Sequence, residues 1–236
     1  MTGRRFLCVV SNDTNTLFFD AEEHHHLVRV MRARVGMEIE AVNGCGDWFR
    51  ARITRVAPRV VEAAILKHER RERPAIRLIL APSMLKKRSM DLMLEKLCEL
   101  GVDEIRPVCF ERNDGDCPGE IPERWQRIAL QAVKINRRSW ATRIFAPVDL
   151  ESLIRESAAI PVRVMLEISG RPFATDPDLL PILCVIGPPG DFTPREQAEL
   201  QNAGFVSRRL NAGILRSETA AITAAAVFQQ QLDQEP

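Results

Sequence analysis

Leu210-Asn211-Ala212-Gly213-Ile214-Leu215-Arg216-Ser217-Glu218-Thr219-Ala220 leads out of a short apolar strand, Val206–Leu210. It enters a helix that the pattern predicts from about Glu218 to Leu232. A second turn of the same kind lies upstream. Ile186-Gly187-Pro188-Pro189-Gly190-Asp191-Phe192 leaves the apolar run Leu183–Ile186. It is followed by Thr193-Pro194-Arg195-Glu196, a capping box with proline at the first helical position, and Gly204 closes that helix. In open α/β sheets, ligands bind beyond the carboxyl ends of the strands, where loops of this kind lie. Glycine lets backbone groups approach a ligand, and proline stiffens the turn. Neither loop has G-x-G-x-x-G or P-loop spacing, which counts against NAD and ATP. Each alone also reads as a plain turn; the pair makes a candidate site.

Upstream the same alternation continues. Ile76–Ala81 reads as a buried strand. Met90, Met93, Leu94, Leu97 and Leu100 recur at helical spacing before Gly101. Ile105–Phe110 reads as a strand, Glu123–Arg138 as a helix burying Trp125, Ile128, Ala129, Ala132 and Ile135, and Val162–Ile168 as a strand. Strands alternating with helices imply an α/β domain with a largely parallel sheet. Residues 1–66 have another rhythm. Met37–Ala41, Phe49–Thr54 and Val61–Ile65 alternate apolar and polar between glycine and proline turns, as in a small antiparallel barrel or sheet. Leu27, Val30 and Met31 interrupt it at helical spacing. The charge run Lys67-His68-Glu69-Arg70-Arg71-Glu72-Arg73-Pro74 is the expected linker. The expected domains are therefore 1–72 and 73–236.

The 236 residues are 45% hydrophobic and 28% charged, which suits a globular chain and not a disordered one. No apolar stretch approaches the roughly 18–20 residues of a membrane span. Met1-Thr2-Gly3-Arg4-Arg5 leads into only a short apolar stretch, so no secretory signal and a cytoplasmic location are expected. The six cysteines (Cys8, Cys45, Cys98, Cys109, Cys117, Cys184) form no C-x-x-C pair and are expected to be buried or incidental thiols. His24-His25-His26 cannot converge on one ion, because consecutive helical residues point about 100° apart; no metal is expected. Net charge is only +1, but it is uneven: 12 Lys+Arg face 10 Asp+Glu over residues 1–72, 14 face 10 over 73–143, and 7 face 12 over 144–236. Nucleic-acid contact through the front two thirds is allowed. Arg29, Arg32, Arg34, Arg50, Arg52 and Arg55, then Lys86-Lys87-Arg88 and Arg137-Arg138, are its candidates, each also readable as a solvated face.

The segment Gly213–Ala220 resembles the R-I-L-R-T-E-T-A motif of the RsmE family, 16S rRNA uridine-N3 methyltransferases of the SPOUT (trefoil-knotted) class. Glu95–Val102 is similar to that family's Q-K-x-x-E-L-G-V, Phe110-Glu111-Arg112 to its S/T-E-R turn, and Ile186–Phe192 to its I-G-P-E-G-G-F loop. His26-Leu27-Val28-Arg29-Val30-Met31-Arg32, followed by Gly36 and Asn43-Gly44, is similar to its H-x-x-x-V-L-R…G…D-G pattern. The resemblance spans nearly the whole chain in order. It implies an α/β protein: an N-terminal PUA-like β-barrel that contacts RNA, then a C-terminal SPOUT domain with a deep trefoil knot, a rare exception to the unknotted rule. It also implies S-adenosylmethionine in the knot cleft, a homodimer, and as substrate N3 of the uridine at 16S position 1498 (bacterial reference numbering) in the small ribosomal subunit. No membrane and no metal enter this picture.

The expected cofactor-binding residues are Leu166, Glu167, Ile186, Gly187, Gly190, Asp191, Leu210, Asn211, Gly213, Ile214 and Leu215. Methyl transfer from a sulfonium needs nucleophile, carbon and sulfur in line, so much of the catalysis can be positioning. Uracil N3 must also lose its proton. Glu111, Glu218 or the target's own phosphates are candidate acceptors. Arg216 and Arg112 match family arginines that could bind phosphate or a developing uracil anion, or could instead brace the knot by ion pairs. Arg29, Arg32, Arg50, Arg52, Lys86, Lys87, Arg88 and Arg138 are the RNA-contact candidates. The chain departs from the family at Pro189 (Glu in the motif), Asp191 (Gly), Lys134-Ile135 (Glu-Gln) and Ser89 (Lys or Arg). These departures keep two alternatives open: a catalytically degenerate SPOUT-fold protein that binds RNA or the ribosome, and a methyltransferase of this fold with a different RNA target.

Overall fold

The computed structural model describes residues 5–10, 15–172 and 180–232. Residues 1–4, on which the reading of the chain start rests, lie outside them. The chain forms two compact units: residues up to Pro74 with Leu130–Ala141, and Ala75–Ala129 with the remainder from Thr142.

In the first unit, β1 (Arg5–Leu7), β2 (Val9–Val10), β3 (Thr16–Phe18), α1 (Ala21–His25), β4 (Glu38–Val42), β5 (Asp47–Ala57) and β6 (Val60–Arg70) follow one another. The sheet order is β1-β4-β5-β6-β3-β2, antiparallel except for β1 against β4. Period-two alternation in β5 turns Phe49, Ala51 and Ile53 into the core with Phe6, Leu17, Leu27 and Val61, while Arg50 and Arg52 face water. Asp20 caps α1, its Oδ1 accepting the Glu23 N–H at 2.8 Å. The chain then widens into a π-helical turn, His26–Val30, closed by Met31 N–H to His26 O at 3.0 Å. The i→i+5 hydrogen bond of this wider turn breaks the 3.6 spacing. Leu27 is therefore buried, whereas Val30, expected inward, is 57% exposed.

The expected linker is largely strand. Lys67–Arg70 continue β6 opposite Arg50–Asp47. Asp47 holds this end: His68 Nε2 pairs with its Oδ1 at 2.8 Å and Arg70 Nη1 donates to its Oδ2 at 2.7 Å. The His68 ring stacks on Phe49 at 4.7 Å. Burial pushes the Asp47 carboxyl up, but hydrogen bonds from His68 and Asn43 and the Arg70 charge outweigh it and hold the group below its ordinary range. The run buries little apolar surface and is fixed by ladder and charge instead. Residues 130–141 join this unit through Gly46 N–H to Ser139 O (2.8 Å), Ala141 N–H to Gly44 O (2.9 Å) and Trp140 Nε1–H to Arg71 O (3.1 Å). Gly46 sits at φ +101, and a Cβ there would lie 2.5 Å from the Trp140 ring, so only glycine fits. Lys134 reaches the fully buried Glu23 in this same unit.

The second unit holds β7 (Leu78–Pro82), α2 (Lys87–Glu99), β8 (Glu104–Ile105), β9 (Val108–Cys109), the start of α3 (Glu123–Asn136), β10 (Arg143–Ile144), β11 (Val148–Asp149), α4 (Leu150–Glu156), β12 (Val162–Pro172), β13 (Ile182–Ile186), α5 (Pro194–Asn202), β14 (Val206–Arg209) and α6 (Ser217–Leu232). Its main sheet is parallel throughout, in the order β10-β8-β7-β13-β12-β14. The central strands β7 and β13 are buried at every position, the mark of a sheet covered on both faces. In α2, Met90, Met93, Leu94 and Leu97 face the core, and Gly101 beyond it takes φ +77. Glu196 completes the capping box on Thr193 as the sequence predicts.

Several details differ from the sequence reading. Ile105–Phe110 is two short strands broken at Arg106-Pro107, because proline has no N–H for the ladder; β9 pairs with β11 instead. Helix α3 ends at Asn136, Arg137 takes φ +59, and Ile135 is 67% exposed. Cys109 and Cys117 are disulfide-bonded, not free thiols, while Cys8, Cys98 and Cys184 are buried and Cys45 is exposed. Burial pushes the Cys8 and Cys98 thiols up to about 12, which keeps them protonated and inert. His24 Nε2 pairs with Ala57 O at 2.9 Å, and the His26 ring lies against Phe6. Among the described residues, no helix is long and apolar enough to cross a membrane.

Candidate functional site

Beyond the carboxyl ends of β13 and β14 lies a cleft of about 740 Å³, within the roughly 300–1,000 Å³ usual for small-molecule sites. Three stretches form it: 166–168 from β12, 186–191 after β13, and 208–218 between β14 and α6, with Leu85, Ser89, Asp114 and Ala220. The structure thus brings together all eleven expected cofactor-binding residues: Leu166, Glu167, Ile186, Gly187, Gly190, Asp191, Leu210, Asn211, Gly213, Ile214 and Leu215. Arg216 and Glu218 also line the cleft. Glu111 and Arg112 are not among its lining residues.

The loop after β13 is held firmly. Ser83 Oγ–H donates to Gly187 O at 3.1 Å and Ser217 Oγ–H donates to the same oxygen at 2.8 Å. Ser83 is fully buried and Ser217 nearly so, and Ser83 N–H also binds Ile186 O at 2.9 Å. The sequence reading missed both hydroxyls. Ser217 lay within the Arg-Ser-Glu-Thr motif and could have been found there; Ser83 carries no local signal. An added Cβ at Gly187 would approach the Phe192 ring to 3.2 Å. On the far side, Arg112 Nη1 donates to Gly190 O at 2.8 Å. Arg112 therefore braces the loop, and Glu111 anchors beside it, its N–H donating to Glu196 Oε1 at 2.8 Å.

Glu167 uses its carboxylate internally. Gln197 Nε2 donates to Oε1 at 2.5 Å and Ser207 Oγ donates to Oε2 at 2.7 Å, tying β12 to α5 and β14. Arg216 is exposed in the cleft wall just before α6, where its carbonyl accepts the Ala220 N–H at 2.8 Å. Its side chain is thus presented by a rigid helix start. The carboxylates of Asp114, Asp191 and Glu218 and the guanidinium groups of Arg208, Arg209 and Arg216 make the lining strongly charged but mixed in sign.

Asp191 stands at φ +61, a left-handed conformation, and its Oδ1 accepts the Phe192 N–H at 2.8 Å. Aspartate tolerates this region better than most residues, and glycine best. Asp191→Ala is expected to lose about 1–2 kcal/mol of stability through the strained φ and the lost hydrogen bond. Asp191→Gly, which lacks the steric penalty, should lose clearly less. Urea unfolding of both proteins checks the ordering; equal losses would contradict it.

The RNA-contact candidates divide between the units. Arg29, Arg32, Arg50, Arg52 and Arg138 belong to the first, Lys86, Lys87 and Arg88 to the second. Arg29 and Arg32 are exposed, with Arg32 at φ +51. Arg50 and Arg52 share one carboxylate, donating to Glu38 Oε2 and Oε1 at 2.8 Å each. Those hydrogen bonds, Arg52's first, hold the Glu38 carboxyl below its ordinary range. The trio keeps one net positive charge. Lys86 pairs with Asp114 at 3.0 Å, Lys87 and Arg88 are exposed, and the Arg138 N–H donates to Asn136 Oδ1 at 3.0 Å.

Residues 71–229 match the family model of an RNA methyltransferase domain, and residues 19–66 that of an RNA methyltransferase PUA domain. The chain is 29% identical over 175 residues to Ribosomal RNA small subunit methyltransferase E of Mesomycoplasma hyopneumoniae, covering 72% of this chain and 77% of that one. It is 26% identical over 236 residues to the Bacillus subtilis protein of the same name, covering 92% and 91%. Among solved structures, a Legionella pneumophila methyltransferase in complex with SAM aligns with TM-score 0.83 at 27% identity, over 98% of both chains. Ribosomal RNA small subunit methyltransferase E of Neisseria gonorrhoeae bound to S-adenosyl methionine aligns with TM-score 0.81 at 25% identity, over 97% of this chain and 98% of that one.

Proposed function

The chain belongs to the RsmE family of RNA methyltransferases, and from that premise we propose that it methylates N3 of a uridine in 16S rRNA of the small ribosomal subunit, with S-adenosylmethionine as methyl donor. The proposed target is the family's uridine 1498. One observation carries the reading: a segment of β12 and the turns after β13 and β14 converge on one cleft, and two buried hydroxyls fix the Gly187 carbonyl at its wall.

The lining fits an adenosyl group. Backbone N–H and C=O groups of 186–191 and 210–215 offer directional partners without side-chain bulk, and Leu166, Ile186 and Leu215 offer apolar surface for a flat base. When bound, the cofactor supplies an electrophilic methyl group. The remaining work falls to this chain. Arg216 holds the negative charge that develops on the uracil oxygens as N3 gives up its proton. Glu218, in the first turn of α6 and in the cleft wall, accepts that proton on its carboxylate. Arg112 acts through the loop it braces and is a positioning residue. Exposed Arg29, Arg32, Lys87 and Arg88 contact RNA phosphates, together with Arg138, and Arg50, Arg52 and Lys86 are weaker partners because each side chain is already ion-paired.

The proposal includes the trefoil-knotted form of the second unit and a homodimer. It also places the protein in the cytoplasm, where its substrate resides. A second reading, an RNA-binding protein without turnover, draws on Pro189, which has no N–H to offer in the cofactor loop.

Incubation with labelled S-adenosylmethionine and small subunits from a strain lacking the modification tests the proposal. One methyl group per subunit, mapped by mass spectrometry to N3 of uridine 1498, is the expected result. Label at another nucleotide would transfer the reading to a different RNA target. No label, with subunits bound, would favour the binder.

A further inference from the structure

We propose that the Cys109–Cys117 disulfide is a thiol-exchange site through which a dithiol reductant loosens the cofactor cleft. The inference rests on the reading that this cleft holds S-adenosylmethionine.

The bridge joins cysteines eight residues apart, with Cα atoms 6.0 Å from each other. The short segment it closes touches the cleft at several points. Arg112 donates to Gly190 O at 2.8 Å, and Asp114 both lines the cleft and pairs with Lys86 at 3.0 Å. Gly115 passes so close to the chain before α2 that an added Cβ would lie 2.1 Å from the Leu85 carbonyl oxygen, and Leu85 is itself in the cleft wall. The Glu111 N–H donates to Glu196 Oε1 at 2.8 Å, in the capping box that begins α5. Cys109 is fixed in β9, so the disulfide ties the far end of an exposed loop back to the sheet.

A loop closed by a covalent link has fewer open conformations to visit. Cutting the link leaves Arg112 and Asp114 on a longer free segment, with Arg112's hydrogen bond to Gly190 and Asp114's ion pair both exposed to water. Persistent disulfides are rare in reducing compartments, and those found there are mostly exchanging or sensing pairs. Cys117 is exposed, which an attacking thiolate requires.

The chemistry balances as a two-electron exchange. One thiolate of the dithiol attacks Cys117 Sγ, the Sγ–Sγ bond breaks, and Cys109 leaves as a thiolate that takes a proton from water. The reductant's second thiol then attacks its own sulfur in the mixed disulfide and releases Cys117 in the same way. Two protein thiols form, and the reductant ends as a disulfide.

The test uses the full chain after diamide oxidation and after dithiothreitol reduction. Peptide mapping of alkylated protein should show Cys109 and Cys117 protected in the first state and modified in the second. Hydrogen exchange without ligand should then speed up in 110–116 and at the Asp191 and Phe192 amides on reduction. S-adenosylmethionine affinity should fall about fivefold or more. The Cys109→Ser/Cys117→Ser protein should behave as the reduced form and ignore dithiothreitol. Free Cys109 and Cys117 after oxidation, or identical exchange in the two states, would overturn the proposal. Absence of cofactor binding in both states would sink the function proposed above, while the exchange comparison would still decide the loop coupling.

Discussion

Arg216→Ala is expected to cut methyl transfer by about 10²–10³-fold, with S-adenosylmethionine affinity close to that of the unsubstituted protein. The asymmetry follows from where the residue stands. The backbone around Arg216 helps form the cleft proposed for the cofactor, and alanine leaves that backbone and the start of α6 unchanged, because the α6 contact uses the Arg216 carbonyl and not its side chain. The guanidinium is lost. It is exposed toward the cleft, so its removal costs little folding energy, but it would meet the uracil charge only as N3 becomes nucleophilic. Lysine at this position restores charge without the planar fork and should recover activity only in part. Single-turnover kinetics beside calorimetric titration separates the outcomes. A parallel loss of cofactor affinity would mean that Arg216 holds the cofactor instead.

Lys134→Met should cost about 3–5 kcal/mol at neutral pH, a large share of a typical 5–15 kcal/mol. Lys134 Nζ pairs with Glu23 Oε1, the side chains being 16% and 0% exposed, and the other Glu23 oxygen has no hydrogen-bond partner among the described residues. Methionine fills similar space and leaves a buried carboxylate alone. Burial already pushes the Glu23 carboxyl above 4.5, with Lys134 opposing the shift. An acid with a raised pKa binds more protons folded than unfolded, so its contribution falls as pH rises from 4.5 to the folded value. Without Lys134 the folded value climbs further and that window widens. The deficit of Lys134→Met relative to the parent should be small below the parent's folded Glu23 value and grow by up to ~1.4 kcal/mol per pH unit above that value. Urea unfolding across that range checks the slope, and Glu23→Gln in the Lys134→Met background should recover most of the loss. A deficit independent of pH would contradict the buried-charge explanation.

The parts of the fold written in burial were legible in the sequence. Strands β7 and β13 show as uninterrupted apolar runs because both faces are covered, and α2 shows its core face as a methionine and leucine stripe. The cleft was legible too, since turns leaving strands of one parallel sheet must open at the same sheet edge. What escaped was fixed by distant partners. Lys67–Arg70 reads as a linker until Asp47 is seen to collect His68 and Arg70. Lys134 departs from the family motif, and its counter-charge, Glu23, lies 111 positions away in the chain. Ile135 follows the helical period but falls one residue before the end of α3, where its side chain is 67% exposed. The Cys109–Cys117 pair has no spacing signal, and the Arg112 side chain, read as a catalytic or a bracing arginine, donates to the Gly190 carbonyl.

Calorimetric titration of the full chain with S-adenosylmethionine and S-adenosylhomocysteine asks whether the β12 segment and the turns after β13 and β14 form a cofactor site. Saturable binding of both ligands at one site per chain is expected, lost in Gly187→Val, whose side chain would press on the Phe192 ring. No binding of either ligand to a protein shown to be folded by circular dichroism would contradict it.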